Sequence, residues 1–213
     1  MIMLQKRKDV PTYLTIAVPL LSILVTLLMG ALIFAMLGHP PLQALYEFFI
    51  APLSRPDQIG NLFVKACPLI IISTGLIFCF RANVWNIGAE GQFYAGACMA
   101  TWLGTGVVDL SPWLMIPLLF AAGAIAGGLL LLGPTLLKTK LAVDEVVTTL
   151  LLNFIVLLFV NWLVFGPWKD PLAMGWPQAE PVVDSALLGL IIPKTRLHWG
   201  LVIAILTSVA VWL

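Results

Sequence analysis

A short polar segment, residues 86–92, interrupts a chain that is otherwise strongly apolar. It places two amides, two glycines and a carboxylate close together, whereas 61% of the 213 residues are hydrophobic and 10% are charged. Polar side chains inside or beside a membrane span are costly, so they usually mark a functional path. The candidate pathway residues of this segment are Asn86, Gly88, Glu90, Gly91 and Gln92.

Two interpretations of this segment remain open from spacing alone. In the first, Asn86 caps a helix that begins at Ile87, with Glu90 in the first turn, where a carboxylate is favoured. The glycines then let the backbone turn or approach a neighbour closely. In the second, the segment is a cytoplasmic turn in which Arg81 and Glu90 are solvated.

A second group of polar residues opens a later apolar run. At about 100° per residue, Glu145, Thr148, Thr149 and Asn153 lie within one arc of a helix. Such a stripe is expected to face other helices or a water-filled cavity. Alternatively, Asp144 and Glu145 complement the helix N-terminus and the threonines bond to their own helix. Asn153, two turns inside, is predicted to bridge helices or to touch substrate. Glu145, Thr149 and Asn153 complete the set of candidate pathway residues.

The elements that position these residues are predicted to be membrane helices. Charge-free runs at residues 13–37, 110–137 and 146–168 are each long enough to cross a hydrocarbon core, which needs about 20 helical residues. The runs that flank the polar segment are shorter. We therefore predict an all-α polytopic membrane protein: a bundle of about six transmembrane helices with a broken or short helix pair around residues 80–92. The expected spans are about 13–37, 60–80, 88–108, 111–137, 145–167 and 197–213.

Basic residues indicate the orientation. The cluster at residues 6–8 precedes an apolar run that is too long for the roughly 7–15 residues of a signal-peptide core, so the first span is expected to be retained. With the N-terminus in the cytoplasm, Arg81, Lys138 and Lys140 also fall inside, as the positive-inside rule favours. The expected outer segments are residues 39–57, a turn around Asp109, and residues 167–196.

Other functional classes find little support in the sequence. The three cysteines show no C-x-x-C spacing, the two histidines stand alone, and the net charge of +1 gives no reason to expect a nucleic-acid partner. We expect no metal site and no catalytic residues.

Small residues at Gly96, Gly104, Gly123 and Gly127 are interpreted as helix-packing positions. Because the chain stops inside an apolar run, we interpret residues 1–213 as one transmembrane domain at the front of a longer polypeptide.

Two strings carry a resemblance to a known family. Residues 80–92 read F-R-x-x-x-x-N-I-G-x-E-G-Q, and residues 144–155 read D-E-V-x-x-T-L-x-L-N-F-I. Both resemble strings in the permeases of ATP-binding-cassette (ABC) importers for simple sugars and nucleosides, which depend on a binding protein. The similarity is strongest to the branch that handles purine nucleosides.

This resemblance implies a function and a set of partners. The chain would be the permease subunit of an importer in the bacterial cytoplasmic membrane, with a nucleoside or simple sugar as its small-molecule substrate. It would pair with a second permease, identical or different, with cytoplasmic ATP-binding subunits and with an extracytoplasmic substrate-binding protein received by residues 167–196. No G-x-x-x-x-G-K-[ST] loop occurs, so no cofactor is expected on this chain and ATP would bind the partner subunit. The helix that contacts the ATPase would follow residue 213.

Three alternatives compete with this interpretation. An ion-coupled secondary transporter would use Glu90 as its protonatable site and would respond to the proton gradient instead of ATP. An intramembrane enzyme is disfavoured because H-E-x-x-H and G-x-S-x-G are both missing from the sequence. A pure scaffold would leave the two polar strings unexplained.

Overall fold

The computed structural model describes residues 11–193 and 195–213, so the basic cluster at residues 6–8 lies outside the described residues. The described chain is helical, with isolated β-bridges and no strands. Its helices are α1 (Thr12–Met36), α2 (Pro41–Phe49), α3 (Ala51–Ser54), α4 (Pro56–Arg81), α5 (Ala89–Trp102), α6 (Pro112–Leu141), α7 (Glu145–Phe165) and α8 (Gly200–Trp212). A π-helical turn (Leu103–Val107) extends α5, and a 3-10 turn (Asp184–Ala186) lies between α7 and α8.

Four of the described helices are long and apolar enough to cross a membrane. They are Tyr13–Met36, Gln58–Arg81, Pro112–Leu141 and Glu145–Phe165, with mean hydropathy between 2.1 and 2.6. Their apolar side chains are mostly exposed, as expected for surfaces that face lipid or other helices rather than a closed core. The predicted all-α polytopic membrane fold is confirmed. The two shorter expected spans fall on α5 with its π-helical extension and on α8.

The chain falls into two compact units that divide between Leu62 and Phe63. In the first unit, α1 ends in a Schellman closure: Gly38 adopts a φ of +78°, and the His39 N–H donates to the Phe34 carbonyl at 2.9 Å. Pro41 then starts α2, where the missing proline N–H costs nothing. The segment expected to be an outer loop, residues 39–57, is therefore largely helical.

In the second unit, α5 packs between α6 and α7. Glycine permits the α5–α6 crossing: a Cβ atom at Gly96 would lie 2.9 Å from the Gly123 carbonyl oxygen, and one at Gly127 would lie 3.1 Å from the Gln92 carbonyl oxygen. The packing role predicted for these small residues is confirmed. Gly104 also packs closely, with the side chain of Val182 as its neighbour.

The long segment after α7 is folded onto the end of α5. The Val183 N–H donates to the Gly104 carbonyl at 2.8 Å. Within the segment, the buried Asp170 carboxylate accepts from the Leu172 N–H at 2.8 Å and from the Gln178 amide at 3.2 Å. A buried carboxylate with such partners fixes the local chain, so this expected outer loop has a defined structure.

The α5–α6 crossing gives a direct test of the fold. Replacing Gly96 with Ala forces the two backbones apart, and we expect the melting temperature of the full-length protein in detergent to fall. Gly133→Ala is the matched control, because a Cβ atom there meets nothing within 4 Å and Ala is the better helix former. Equal melting temperatures for the two variants would contradict the crossing described above.

Candidate functional site

The site begins where α4 stops. Asn83 adopts a φ of +55°, a left-handed conformation that asparagine tolerates better than most residues. The Asn83 N–H donates to the Phe80 carbonyl at 3.0 Å and the Val84 N–H donates to the Cys79 carbonyl at 2.8 Å. These two bonds close α4 in a Schellman motif. The chain then runs without regular structure from residue 84 to residue 88, a segment that we call the break.

Helix α5 begins two residues later than the sequence indicated. Its first residue is Ala89, with Gly88 in the capping position, so the predicted cap by Asn86 of a helix from Ile87 is wrong. The Asn86 side-chain oxygen instead accepts from the Gly88 N–H at 3.0 Å, which shapes a turn before the helix. Glu90 does lie in the first turn of α5, as expected.

Side chains of α7 satisfy the backbone of the break and of the first turn. The Thr149 hydroxyl accepts from the Ile87 N–H at 3.1 Å, and the Asn153 side-chain oxygen accepts from the Gly91 N–H. Thr149 is 1% exposed and Asn153 is 7% exposed. A buried N–H without a partner is strongly unfavourable, so these two residues allow the helix to start inside the protein. Asn153 thus bridges two helices, one of the two roles predicted for it.

Glycine makes this contact possible. A Cβ atom at Gly88 would lie 2.5 Å from the Thr149 carbonyl oxygen, and one at Gly91 would lie 2.9 Å from the Asn153 Cα. Any side chain at either position would push α5 away from α7. The contact surface between α5 and α7, which we call the α5–α7 seam, is therefore closed here by direct backbone contact.

An ion pair holds the start of the break. The Glu145 carboxylate accepts from the Trp85 N–H at 3.3 Å and pairs with the Lys138 ammonium. Lys138 also donates to the Asn83 carbonyl, so this residue joins the end of α6 to the end of α4. Asp144 caps α7 through the Val146 N–H at 2.7 Å.

The two carboxylates therefore have different roles: Asp144 acts locally and Glu145 acts across helices. From the sequence, Lys138 was expected only to indicate the orientation of the chain in the membrane. Its position seven residues before Glu145, across a short helix-to-helix connection, is the signal that could have revealed the pair.

The remaining candidate residues lie on different sides of α5. Glu90 is exposed, and its carboxylate accepts from the Asn153 amide at 3.4 Å. Asn86 and Gln92 instead form a reciprocal pair of amide hydrogen bonds, both 3.1 Å long. This pair lines a cavity of about 420 Å³ between α4, α5 and α6.

The eight candidates thus fall into two sets. The first set lies at the α5–α7 seam and comprises Gly88, Glu90, Gly91, Glu145, Thr149 and Asn153. The second set, Asn86 and Gln92, faces the cavity. In residues 11–193 and 195–213, no three His, Cys, Asp or Glu side chains are close enough together to hold a metal ion.

These features define a multi-pass helical membrane protein with a broken helix pair braced by polar side chains. Residues 58–213 match the family described as the permease component of the branched-chain amino acid transport system, and the chain belongs to this family. The matched range includes the break, α5 and α7.

Three proteins to which the chain is similar are ABC transporter permeases. The chain is 31% identical to a glucose ABC transporter permease of Haloferax volcanii, over 98% of this chain and 57% of that protein. It is 30% identical to a guanosine ABC transporter permease of Bacillus subtilis, over 92% of this chain and 56% of that protein. A nucleoside ABC transporter permease of Lactococcus lactis subsp. cremoris is 28% identical, over 91% of this chain and 55% of that protein.

The chain thus spans just over half the length of these curated relatives. No solved structure matches it significantly.

Asn153→Ala tests the bracing of the break. The substitution leaves the buried Gly91 N–H without its acceptor, which costs about 1–3 kcal/mol. We expect faster hydrogen–deuterium exchange across residues 85–92 of the full-length protein. The control is Asn161→Ala on the same helix, where the amide bonds to the Leu157 carbonyl of its own helix at 3.0 Å. Unchanged exchange in Asn153→Ala would refute the bracing role.

The ion pair is tested by a double-mutant cycle. Either Lys138→Met or Glu145→Gln alone leaves a half-buried charge without its partner, so each should lower the melting temperature. The double variant should lose less than the sum of the two single changes, because neither charge remains. Lys140→Met, at an exposed position near the same helix end, supplies the control. Additive losses would show that the pair contributes nothing.

Proposed function

We propose that this chain is part of the transmembrane permease subunit of an ABC importer that carries a nucleoside or a simple sugar across the bacterial cytoplasmic membrane. The observation that carries the proposal is the continuous family match over residues 58–213, which contains both the break and the α7 side chains that brace it. Discontinuous membrane helices are typical of transport sites because they expose helix ends and backbone groups. The three relatives are named as glucose, guanosine and nucleoside ABC transporter permeases, which supports the substrate class.

The partners follow from the same proposal. ATP would be bound and hydrolysed by cytoplasmic subunits, with no cofactor on this chain. A second permease subunit, identical or different, would complete the membrane pore, and an extracytoplasmic binding protein would deliver the solute. The folded segment after α7, fixed by the buried Asp170, offers a preformed surface for that delivery.

The candidate residues would have two kinds of role in transport. Gly88, Gly91, Thr149 and Asn153, with Glu145, would hold the break in position, since their contacts satisfy its backbone. Asn86 and Gln92 would line the path of the solute, since they face a cavity. Glu90 would lie on the pathway as an exposed carboxylate next to Asn153.

Purification of the full-length protein tests the importer directly. We expect an ATP-hydrolysing subunit to copurify in fixed ratio, and its activity to rise when a loaded binding protein is added. The control is the same complex with the ATPase catalytic lysine replaced, in which uptake should stop. Uptake that persists without ATP and collapses with the proton gradient would instead support the ion-coupled transporter with Glu90 as its protonation site.

Uptake by variants tests the residue roles. Asn153→Ala and Glu90→Gln should both reduce uptake while the protein still inserts into the membrane, because one loosens the break and the other removes the carboxylate charge beside it. Asn161→Ala is again the control, since its amide bonds within its own helix. Wild-type uptake in Asn153→Ala or Glu90→Gln would remove that residue from the pathway.

A further inference from the structure

The cavity between α4, α5 and α6 holds two amides that satisfy each other. In the Asn86–Gln92 pair each side chain donates one N–H to the other and accepts one in return, at 3.1 Å in both directions. Asn86 is 4% exposed, so its amide is held inside the protein. Such a ring uses the edge of each amide on which N–H and C=O lie side by side.

The two amides are not equally anchored. The Asn86 oxygen also accepts from the Gly88 N–H at 3.0 Å, and its nitrogen lies 4.0 Å from the Cys79 sulfur. In the part of the chain that the structure describes, the Gln92 side chain bonds to Asn86 alone. The Gln92 side chain has one more rotatable bond than that of Asn86, and its release breaks only the two hydrogen bonds of this ring. Asn86 is therefore the fixed half of the pair and Gln92 the exchangeable half.

The lining of the cavity indicates what could replace Gln92. The cavity has a volume of about 420 Å³, which lies in the range of small-molecule sites, roughly 300–1,000 Å³. Apart from the two amides and the Cys79 thiol, its lining is aliphatic, glycine or the ring of Phe93. Sugar hydroxyls placed against these walls would mostly stay unpaired, which is unfavourable, so the ribose of a nucleoside would have to lie outside this lining. A planar heterocycle would present apolar faces to these walls and its polar groups at one edge.

We propose that this cavity binds a nucleobase through a lactam edge, an N–H beside a C=O, which pairs with Asn86 in place of Gln92. The lactam offers Asn86 the same donor and acceptor that Gln92 offers, so Asn86 keeps two hydrogen bonds when the Gln92 amide is released from the pair. Asparagine pairs with adenine in DNA through the same two-bond geometry. Phe93 lines the cavity and supplies an aromatic face for the base. This inference rests on the proposed importer function and narrows its substrate to nucleosides.

Cys79 supplies a reporter that is independent of transport. It is a free thiol that lines the cavity, whereas Cys98, also free, lies outside it. The assembled full-length transporter is treated with N-ethylmaleimide, and alkylation of each cysteine is followed by peptide mass spectrometry. We expect inosine to slow the alkylation of Cys79 several-fold and to leave Cys98 unaffected. Methylation of the inosine lactam nitrogen removes the donor, so 1-methylinosine should not protect, and neither should glucose.

Variants distinguish recognition from simple shielding. Gln92→Ala should retain protection by inosine, because it removes only the competitor for Asn86. Asn86→Asp should lose protection, since it keeps the acceptor for the Gly88 N–H but lacks the amide donor. Gly128→Leu should also lose it by filling the cavity, whereas Gly133→Leu on the same helix should not. A Cβ atom at either glycine meets nothing within 4 Å, so the two positions are matched in the space next to the backbone.

The outcomes separate this proposal from the importer function. ATP-dependent uptake is measured on the same preparation. If glucose or 1-methylinosine protected Cys79 as well as inosine does, lactam recognition would be overturned. ATP-dependent uptake in the same preparation would still support the importer. Uptake of inosine without any protection of Cys79 would place the solute elsewhere. Lack of ATP-dependent uptake for every solute would refute the importer itself, whatever the labelling shows.

Discussion

The structure of the second unit depends on one constraint. The backbone N–H groups of the break and of the first turn of α5 must find acceptors inside the protein. An uninterrupted helix satisfies its own backbone, but the chain between α4 and α5 leaves helical geometry and so exposes these groups. Glu145, Thr149 and Asn153 supply the acceptors from a single face of α7. The polar stripe on α7 is therefore a set of hydrogen-bond acceptors matched to a broken neighbour. The glycines at positions 88 and 91 bring the two backbones close enough for short side chains to reach.

Much of this arrangement could be predicted from the sequence because membrane helices leave strong patterns. Long apolar runs gave the all-α polytopic class, and the spacing of Glu145, Thr149 and Asn153 placed them on one face. The small residues at Gly96 and Gly123 predicted close helix packing, although not which helices meet. These features depend on composition and helical periodicity, which a single sequence displays directly.

The pairing of groups across helices could not be predicted in the same way. The predicted start of α5 is wrong because the Asn86 side chain does not cap a helix at Ile87. It accepts from the Gly88 N–H and pairs with the Gln92 amide instead. The partnership of Lys138 with Glu145 depends on how the connection between α6 and α7 turns, which periodicity does not encode. The sequence predicts an outer loop at residues 39–57 and no helix there, yet prolines at helix starts are compatible with α2 and α3. Pairwise hydrogen bonding is set by the fold, not by local sequence.

The glycine contacts of the α5–α7 seam also constrain how the molecule can move. A shift of α5 along α7 by one residue is about 1.5 Å, and it would separate the Ile87 and Gly91 N–H groups from their acceptors on α7. It would also bring larger neighbours, Ala89 and Gln92 in one direction or Ile87 and Glu90 in the other, towards a surface that has no room for a side chain. Sliding is therefore blocked in both directions, and we expect α5 and α7 to travel as one rigid body. The hinge of any inward–outward transition would then lie at Asn83 and Val84, where α4 ends.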